Sequence, residues 1–172
     1  MLIRAYRPGE EAALREVFRS SVHQRASRDY SPEQLEAWAP REYDKDWWNR
    51  RIHGNRPFVA EVDGRIAGYA DLQDSGYIDQ FFVAGGHTGR GVGSALMRYL
   101  LAEAARKRIG ALFADVSLTA EPFFARHGFV VETRRQVVVR GVTLANARMR
   151  RAPMELPVAR TAQYRQEKEN RA

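Results

Sequence analysis

The residues best suited to chemistry lie in one run. Tyr77-Ile78-Asp79-Gln80-Phe81-Phe82-Val83 leads into Ala84-Gly85-Gly86-His87-Thr88-Gly89-Arg90-Gly91-Val92-Gly93-Ser94-Ala95-Leu96. Glycines let successive backbone N–H groups turn toward one point and let an anion approach the main chain closely. A helix starting at the end of such a loop adds unpaired donors and a partial positive charge. Arg90 adds a full one. A pyrophosphate is the natural occupant. A P-loop would need Gly-Lys-Ser/Thr at the loop's end, and Gly93-Ser94 lacks the lysine. Gly89, Gly91 and Gly93 are spaced G-x-G-x-G, which departs from the dinucleotide fingerprint, and the strand before them belongs to a hairpin meander rather than opening a βαβ unit. The bland alternative is a tight glycine turn with no ligand.

Two acids stand in runs that read as strands, Asp79 and Asp115. A carboxylate in a sheet interior is costly unless it is functional or paired, here with an arginine. By strand alternation Tyr77, Asp79, Phe81 and Val83 share one face, with Ile78, Gln80 and Phe82 on the other. No His, Asp and Glu spacing suggests a metal site.

The elements that must position these residues follow from periodicity and punctuation. Leu2 to Tyr6 is a first strand, stopped by Pro8-Gly9. Leu14, Val17, Phe18 and Val22 mark one face of a helix. Ser31-Pro32-Glu33-Gln34 reads as a cap with proline at the first helical position, opening a helix to about Trp38. Asp44 to Ile52 is a further helix. Phe58 to Val62, Asp63-Gly64 and Arg65 to Leu72 form a hairpin. Tyr77 to Val83 is its third strand, and a helix follows the glycine loop to Gly110. Leu112 to Val116 is a strand, Ala120 to Arg126 a short helix, and Phe129 to Arg140 and Val142 to Met149 a last hairpin. The order implies a mixed, mainly antiparallel central α/β sheet of about seven strands with flanking helices. Residues 1–150 form one domain, and 151–172 a polar, basic tail.

Composition bounds the rest. The chain of 172 residues is long enough to bury a core without staples. It has no cysteine, which removes thiol nucleophiles, Cys-based zinc sites and disulfides, and suits a cytoplasmic protein. No apolar run approaches the ~20 residues of a membrane span, and the first residues lack a secretory signal. With 28 Lys+Arg against 21 Asp+Glu the net charge is +7, which favours anionic ligands.

Gly89-Arg90-Gly91-Val92-Gly93-Ser94-Ala95-Leu96 resembles the acetyl-CoA pyrophosphate loop of the GNAT N-acetyltransferases, whose pattern is Gln/Arg-x-x-Gly-x-Gly/Ala. Ser117-Leu118-Thr119-Ala120-Glu121-Pro122-Phe123-Phe124-Ala125-Arg126-His127-Gly128-Phe129 is similar to the family's second signature, an Asn-type position before an aromatic-rich helix ending in Gly-Phe. Phe123-Phe124, the Gln136 strand and Ala37-Trp38-Ala39-Pro40 resemble the small YafP-like members. The resemblance spans about residues 1–150. It departs at Thr88, where Gln or Arg is usual, at Ser117 for Asn, and at Phe124, where many members carry a tyrosine thought to protonate the departing thiolate.

What the resemblance implies is an acetyl-CoA-dependent N-acetyltransferase, moving an acetyl group directly to a primary amine of a small molecule or protein. Acetyl-CoA, as co-substrate, would meet Phe82, Val83, Thr88, Gly89, Arg90, Gly91, Val92, Gly93, Ser94, Ser117 and Phe124. Its pantetheine arm would lie in a split between the strands of Asp79 and Asp115, bonded to backbone near Phe82 and Val83 as a missing strand would be. Asp79, then Asp115, are the expected bases for the amine. His23, Tyr30 and Trp38 are expected at the acceptor. The competing function is a CoA-binding or nucleic-acid-binding module without turnover. Nucleic acid is disfavoured because the aromatics sit at core positions, no membrane contact is implied, and a homodimer is compatible with the pattern.

Overall fold

A computed structural model describes residues 1–153. The tail expected from 151 lies outside the described residues beyond Pro153. The chain runs β1 (Leu2–Ala5), α1 (Glu11–Arg25), α2 (Pro32–Trp38), α3 (Lys45–Asn55), β2 (Phe58–Val62), β3 (Arg65–Ala70), β4 (Tyr77–Ile78), β5 (Phe81–Val83), α4 (Val92–Arg106), β6 (Leu112–Ser117), α5 (Glu121–Arg126), β7 (Val130–Val139) and β8 (Val142–Arg151). Local chemistry sets the boundaries. Ser31 and Gln34 form a reciprocal capping box with Pro32 at the start of α2, and Asp44 caps α3 by accepting from the Trp47 N–H at 2.9 Å. Asp63 and Gly64 both take positive φ, as do Arg140 and Gly141, so both hairpins close with left-handed turns.

The sheet is where expectation and structure part. The strand expected over 77–83 is broken at Asp79-Gln80 into β4 and β5, so the strands number eight. β5 pairs antiparallel with β3 in a sheet of order β1-β2-β3-β5. β4 pairs parallel with β6 in a second sheet of order β4-β6-β8-β7. The break also corrects the expected alternation. Ile78 and Phe81 pack in the same apolar cluster, three residues apart, whereas Phe82 packs in the other. Strict period two would separate Ile78 from Phe81; the extra residue of the bulge turns the chain over between them.

Each face of this double sheet carries a core. On one side α4 and α5 cover the strands through Val92, Leu96, Leu100 and Phe124, with Ile78, Val116 and Met149 from the strands. On the other, α1, α2 and α3 enclose Phe18, Trp48, Val59 and Tyr69. Gly68 lets α4 sit close to the sheet: a Cβ there would meet the Phe82 carbonyl oxygen at 2.9 Å, and Val92 and Leu96 at 3.1 Å.

Candidate active site

The break in the strand is held by a buried carboxylate. Asp71, 0% exposed, accepts from the Gln80 N–H at 2.6 Å and from the Asp79 N–H at 3.4 Å, while its own N–H donates to the Gln80 carbonyl at 3.1 Å. Burial pushes its pKa up to about 7; the neighbouring charge of Asp79 adds to this, and the backbone N–H groups oppose it. Asp71 thus satisfies the donors that the bulge removes from the ladder.

The main-chain pattern beyond the bulge determines what β5 offers. Asp71 bonds Gln80, and the Ala84 N–H donates to the Ala67 carbonyl at 2.9 Å. Even-numbered residues therefore face β3, and by alternation the N–H and C=O of Phe81 and Val83 face the gap toward β6. Phe82, one of the two residues expected to bond the arm, turns its backbone the other way. β5 pairs with β3 alone, so this edge is open.

The gap widens into a cleft of about 560 Å³. Of the residues expected at the cofactor, Phe82, Val83, Thr88, Gly89, Gly91, Gly93, Ser94, Ser117 and Phe124 line it together. Val92 is instead buried in the core, and Arg90 is exposed outside the cleft lining. At the loop, Gly89 and Gly91 hold φ of +78° and +81°, with nothing within 4 Å of where a Cβ would sit. No side chain caps α4, whose N-cap is Gly91, so its first-turn N–H groups stay available. The Thr88 hydroxyl is buried without a protein partner. Convergent free donors at a helix start fit an anion such as a pyrophosphate. Gly93 is tight for another reason: the Phe123 ring lies 3.3 Å from its would-be Cβ.

The opposite wall is a strap formed by the end of α1 and the connection to α2. It is fastened on both banks of the gap. Ser20 accepts from the Gly85 N–H at 3.0 Å. Across the gap, Asp29 accepts from the Thr119 hydroxyl at 2.6 Å, and the Tyr30 hydroxyl accepts from the Leu118 N–H at 3.0 Å while donating to the Ala145 carbonyl. The strap brings Ser21, Arg25 and Arg28 to the cleft.

The remaining expected residues surround the cleft without lining it. Asp79 is held by Arg51 at 2.8 Å and by Asn55 at 2.7 Å. Asp115 meets Arg148 at 2.7 Å and Arg135 at 3.0 Å; the Arg148 hydrogen bond holds its carboxyl below the usual range. Tyr30 and Trp38 are packed in the second core, with Trp38 behind Phe82 at 6.4 Å between ring centroids. His23 bonds the Ala39 carbonyl at 2.8 Å through Nε2. Sequence reasoning missed Asp71, although an acid between Ala70 and Leu72 was a visible signal. It also missed Arg25 and Arg28, which nothing in their local sequence marks.

An open strand edge running into an uncapped, glycine-lined helix start defines an acyl-CoA-type acetyltransferase site. The model of the family described as Acetyltransferase (GNAT) domain matches residues 26–151. The chain belongs to this family, and it is an acetyl-CoA-dependent N-acetyltransferase. It is 36% identical over 151 residues to an uncharacterized N-acetyltransferase, YafP, of Escherichia coli strain K12, covering 88% of this chain and 95% of that protein. A GCN5-related N-acetyltransferase structure from Rhodopseudomonas palustris is 33% identical, with a TM-score of 0.84 over 88% of this chain and 94% of the other. The fold also matches yncA of Salmonella typhimurium, solved with its cofactor acetyl-CoA, at 22% identity and a TM-score of 0.65, covering 91% and 95% of the two chains. Among the described residues, no helix is long and apolar enough to cross a membrane.

Proposed function

We propose that the cleft binds acetyl-CoA with its pyrophosphate on the loop from Thr88 to Ser94, its pantetheine arm along the free edge of Phe81 and Val83, and its thioester between Phe82 and Ser117. The observation that carries this reading is the outward-facing backbone of Phe81 and Val83, continuous with the unsatisfied donors of the loop. An amide-rich arm laid there gains main-chain hydrogen bonds as an added strand does. The primary amine of a small molecule attacks the thioester carbonyl. The C–N bond forms, the C–S bond breaks, the nitrogen releases its proton to water, and the thiolate leaves with CoA. The enzyme contributes orientation and a backbone N–H for the oxyanion, the Phe81 N–H being one of the two on β5 that face the gap.

In this reading Asp79 and Asp115 act through position. Arg51 and Asn55 of α3 occupy Asp79 at the break between β4 and β5, and Arg148 and Arg135 occupy Asp115, which ties β6 to β8 and β7 on the far side of the split. Tyr30 fastens the strap, and Trp38 backs the Phe82 wall. His23 anchors the end of α2 below the acceptor entrance. The protein works in the cytoplasm, in keeping with its lack of cysteine. A homodimer would use the outer edge of β7, where Val130 and Val138 are exposed, and analytical ultracentrifugation tests it. The central test is calorimetric titration with acetyl-CoA, followed by thiol release with a panel of amines. Binding plus amine-dependent release supports the assignment; no binding by the folded protein overturns it.

A further inference from the structure

The charges around the cleft point in one direction. Among the described residues lining it, the formally charged ones are Arg25, Arg28 and Arg126, with His87 on the loop; no Asp or Glu lines it. The nearby acids are engaged elsewhere. Asp29 is turned onto the Thr119 hydroxyl, Asp79 onto Arg51, and Asp115 onto Arg148. The cations divide between two walls. Arg126 follows Phe123 by three residues on α5, and Phe123 packs on Gly93, so Arg126 belongs to the loop wall. Arg25 and Arg28 sit on the strap. Arg25 ends α1 and caps the 3-10 turn Ala26–Arg28 that Arg28 closes, and both line the cleft.

A cleft of this kind handles amines unequally. A polyamine or a lysine side chain brings a second cation, or a strongly basic ammonium, to a wall that repels it and offers no carboxylate. An amine that carries its own anion is different. A carboxylate beside an ammonium stabilises the charged, unreactive form. Pairing that carboxylate with guanidiniums cancels the stabilisation and eases proton loss to water. Two arginines can thus do part of what a base would do. Resting on the transferase reading above, we propose that the acceptor is a small amino acid or a related amine with an anionic group close to the nitrogen, the anion being bound by Arg25 and Arg28.

Matched acceptors test this on the unmodified protein. Phenylalanine against phenethylamine, and aminomethylphosphonate against ethanolamine, with spermidine as the polycation, are compared by thiol release at saturating acetyl-CoA. The anionic member of each pair should have kcat/KM about tenfold or more above its neutral-tailed partner. The double substitution Arg25→Gln with Arg28→Gln should raise the acceptor KM about tenfold, collapse the preference, and leave acetyl-CoA affinity within about twofold. Preference for phenethylamine or spermidine overturns the acceptor class while leaving the transferase reading intact. Weakened acetyl-CoA binding with an unmoved acceptor KM also overturns it, because the two arginines then hold cofactor phosphates. If acetyl-CoA binds but no acceptor of either class releases thiol, this acceptor class is overturned while the cofactor assignment stands.

Discussion

The two walls of the cleft differ in what carries their chemistry. The loop wall, Thr88 to Ser94, presents main-chain N–H groups whose direction is set by two left-handed glycines and by the start of α4. The strap wall presents side chains, Arg25 and Arg28, beside Asp29 and Tyr30, which reach residues about ninety positions away. Backbone chemistry is written in the local residue types. Side-chain chemistry across a gap depends on tertiary fastening. The variants below probe how far that division holds.

The largest effect belongs to the loop. Gly91→Glu forces a side chain into φ near +81° and places a negative charge where phosphate must meet backbone. Acetyl-CoA affinity should fall by about a hundredfold or more, measured calorimetrically, with the melting temperature lowered by only a few degrees through the backbone strain. Retained affinity in a folded variant would remove the phosphate from this loop and dissolve the distinction between the walls.

The contrast also explains what the sequence could and could not disclose. The glycine loop, the Asp63-Gly64 hairpin and the Ser31 cap follow from local rules and lie where those rules put them. The split of 77–83 was not legible from alternation, because Asp71, several residues upstream, takes the Asp79 and Gln80 N–H groups from the ladder. Asp79 and Asp115 read as acids in need of a partner, but only the fold discloses that Arg51 and Arg148 supply it. Arg25 and Arg28 look like ordinary helix-end cations until the strap is closed.

Asp71 joins the two kinds of chemistry, since its side chain fixes a backbone feature. Its pKa in the folded protein is about 7, well above the ordinary aspartate value. The unfolded chain therefore loses this proton first as pH rises, and folding stability declines from about pH 4 to pH 7. Below that window both states are protonated and the penalty is absent. Asp71→Asn keeps an acceptor for the Gln80 N–H but cannot ionise. Urea unfolding at pH 5 and pH 7.5 should show the unmodified protein losing roughly 2–4 kcal/mol relative to this variant. Parallel pH profiles would show that folding does not raise the Asp71 pKa.

Asp79→Asn should have a smaller effect. The change keeps the shape, weakens the Arg51 pair and leaves the cleft lining untouched. Turnover with a confirmed acceptor should fall by less than about tenfold, with acetyl-CoA affinity unchanged. A loss of about a hundredfold, the scale for removing a general base, would return Asp79 to the reacting amine and require the strap wall to share its role with a carboxylate.

The smallest effect is expected at Phe124. It lines the cleft at the position where many family members place a tyrosine, yet its ring is almost fully buried. It meets Phe81 and Phe129 edge-on, at 5.6 and 5.1 Å between centroids. Phe124→Tyr adds one oxygen at the ring tip. If that tip points to the thioester, the hydroxyl can protonate the departing thiolate and the ring packing survives. If it points into the core, an unpartnered hydroxyl is buried at a cost of about 1–3 kcal/mol, and the melting temperature falls. A thiol ionises near pH 8.5, so its anion leaves near neutral pH without much help. The expected result is a stable variant whose kcat rises less than about threefold at pH 7, where the tyrosine hydroxyl is already protonated. A rise of tenfold or more would show that thiolate departure limits the unmodified enzyme and that a side-chain proton donor beside the loop wall can relieve it. A loss of acetyl-CoA affinity would show that this ring packs against the pantetheine arm too closely to accept an oxygen.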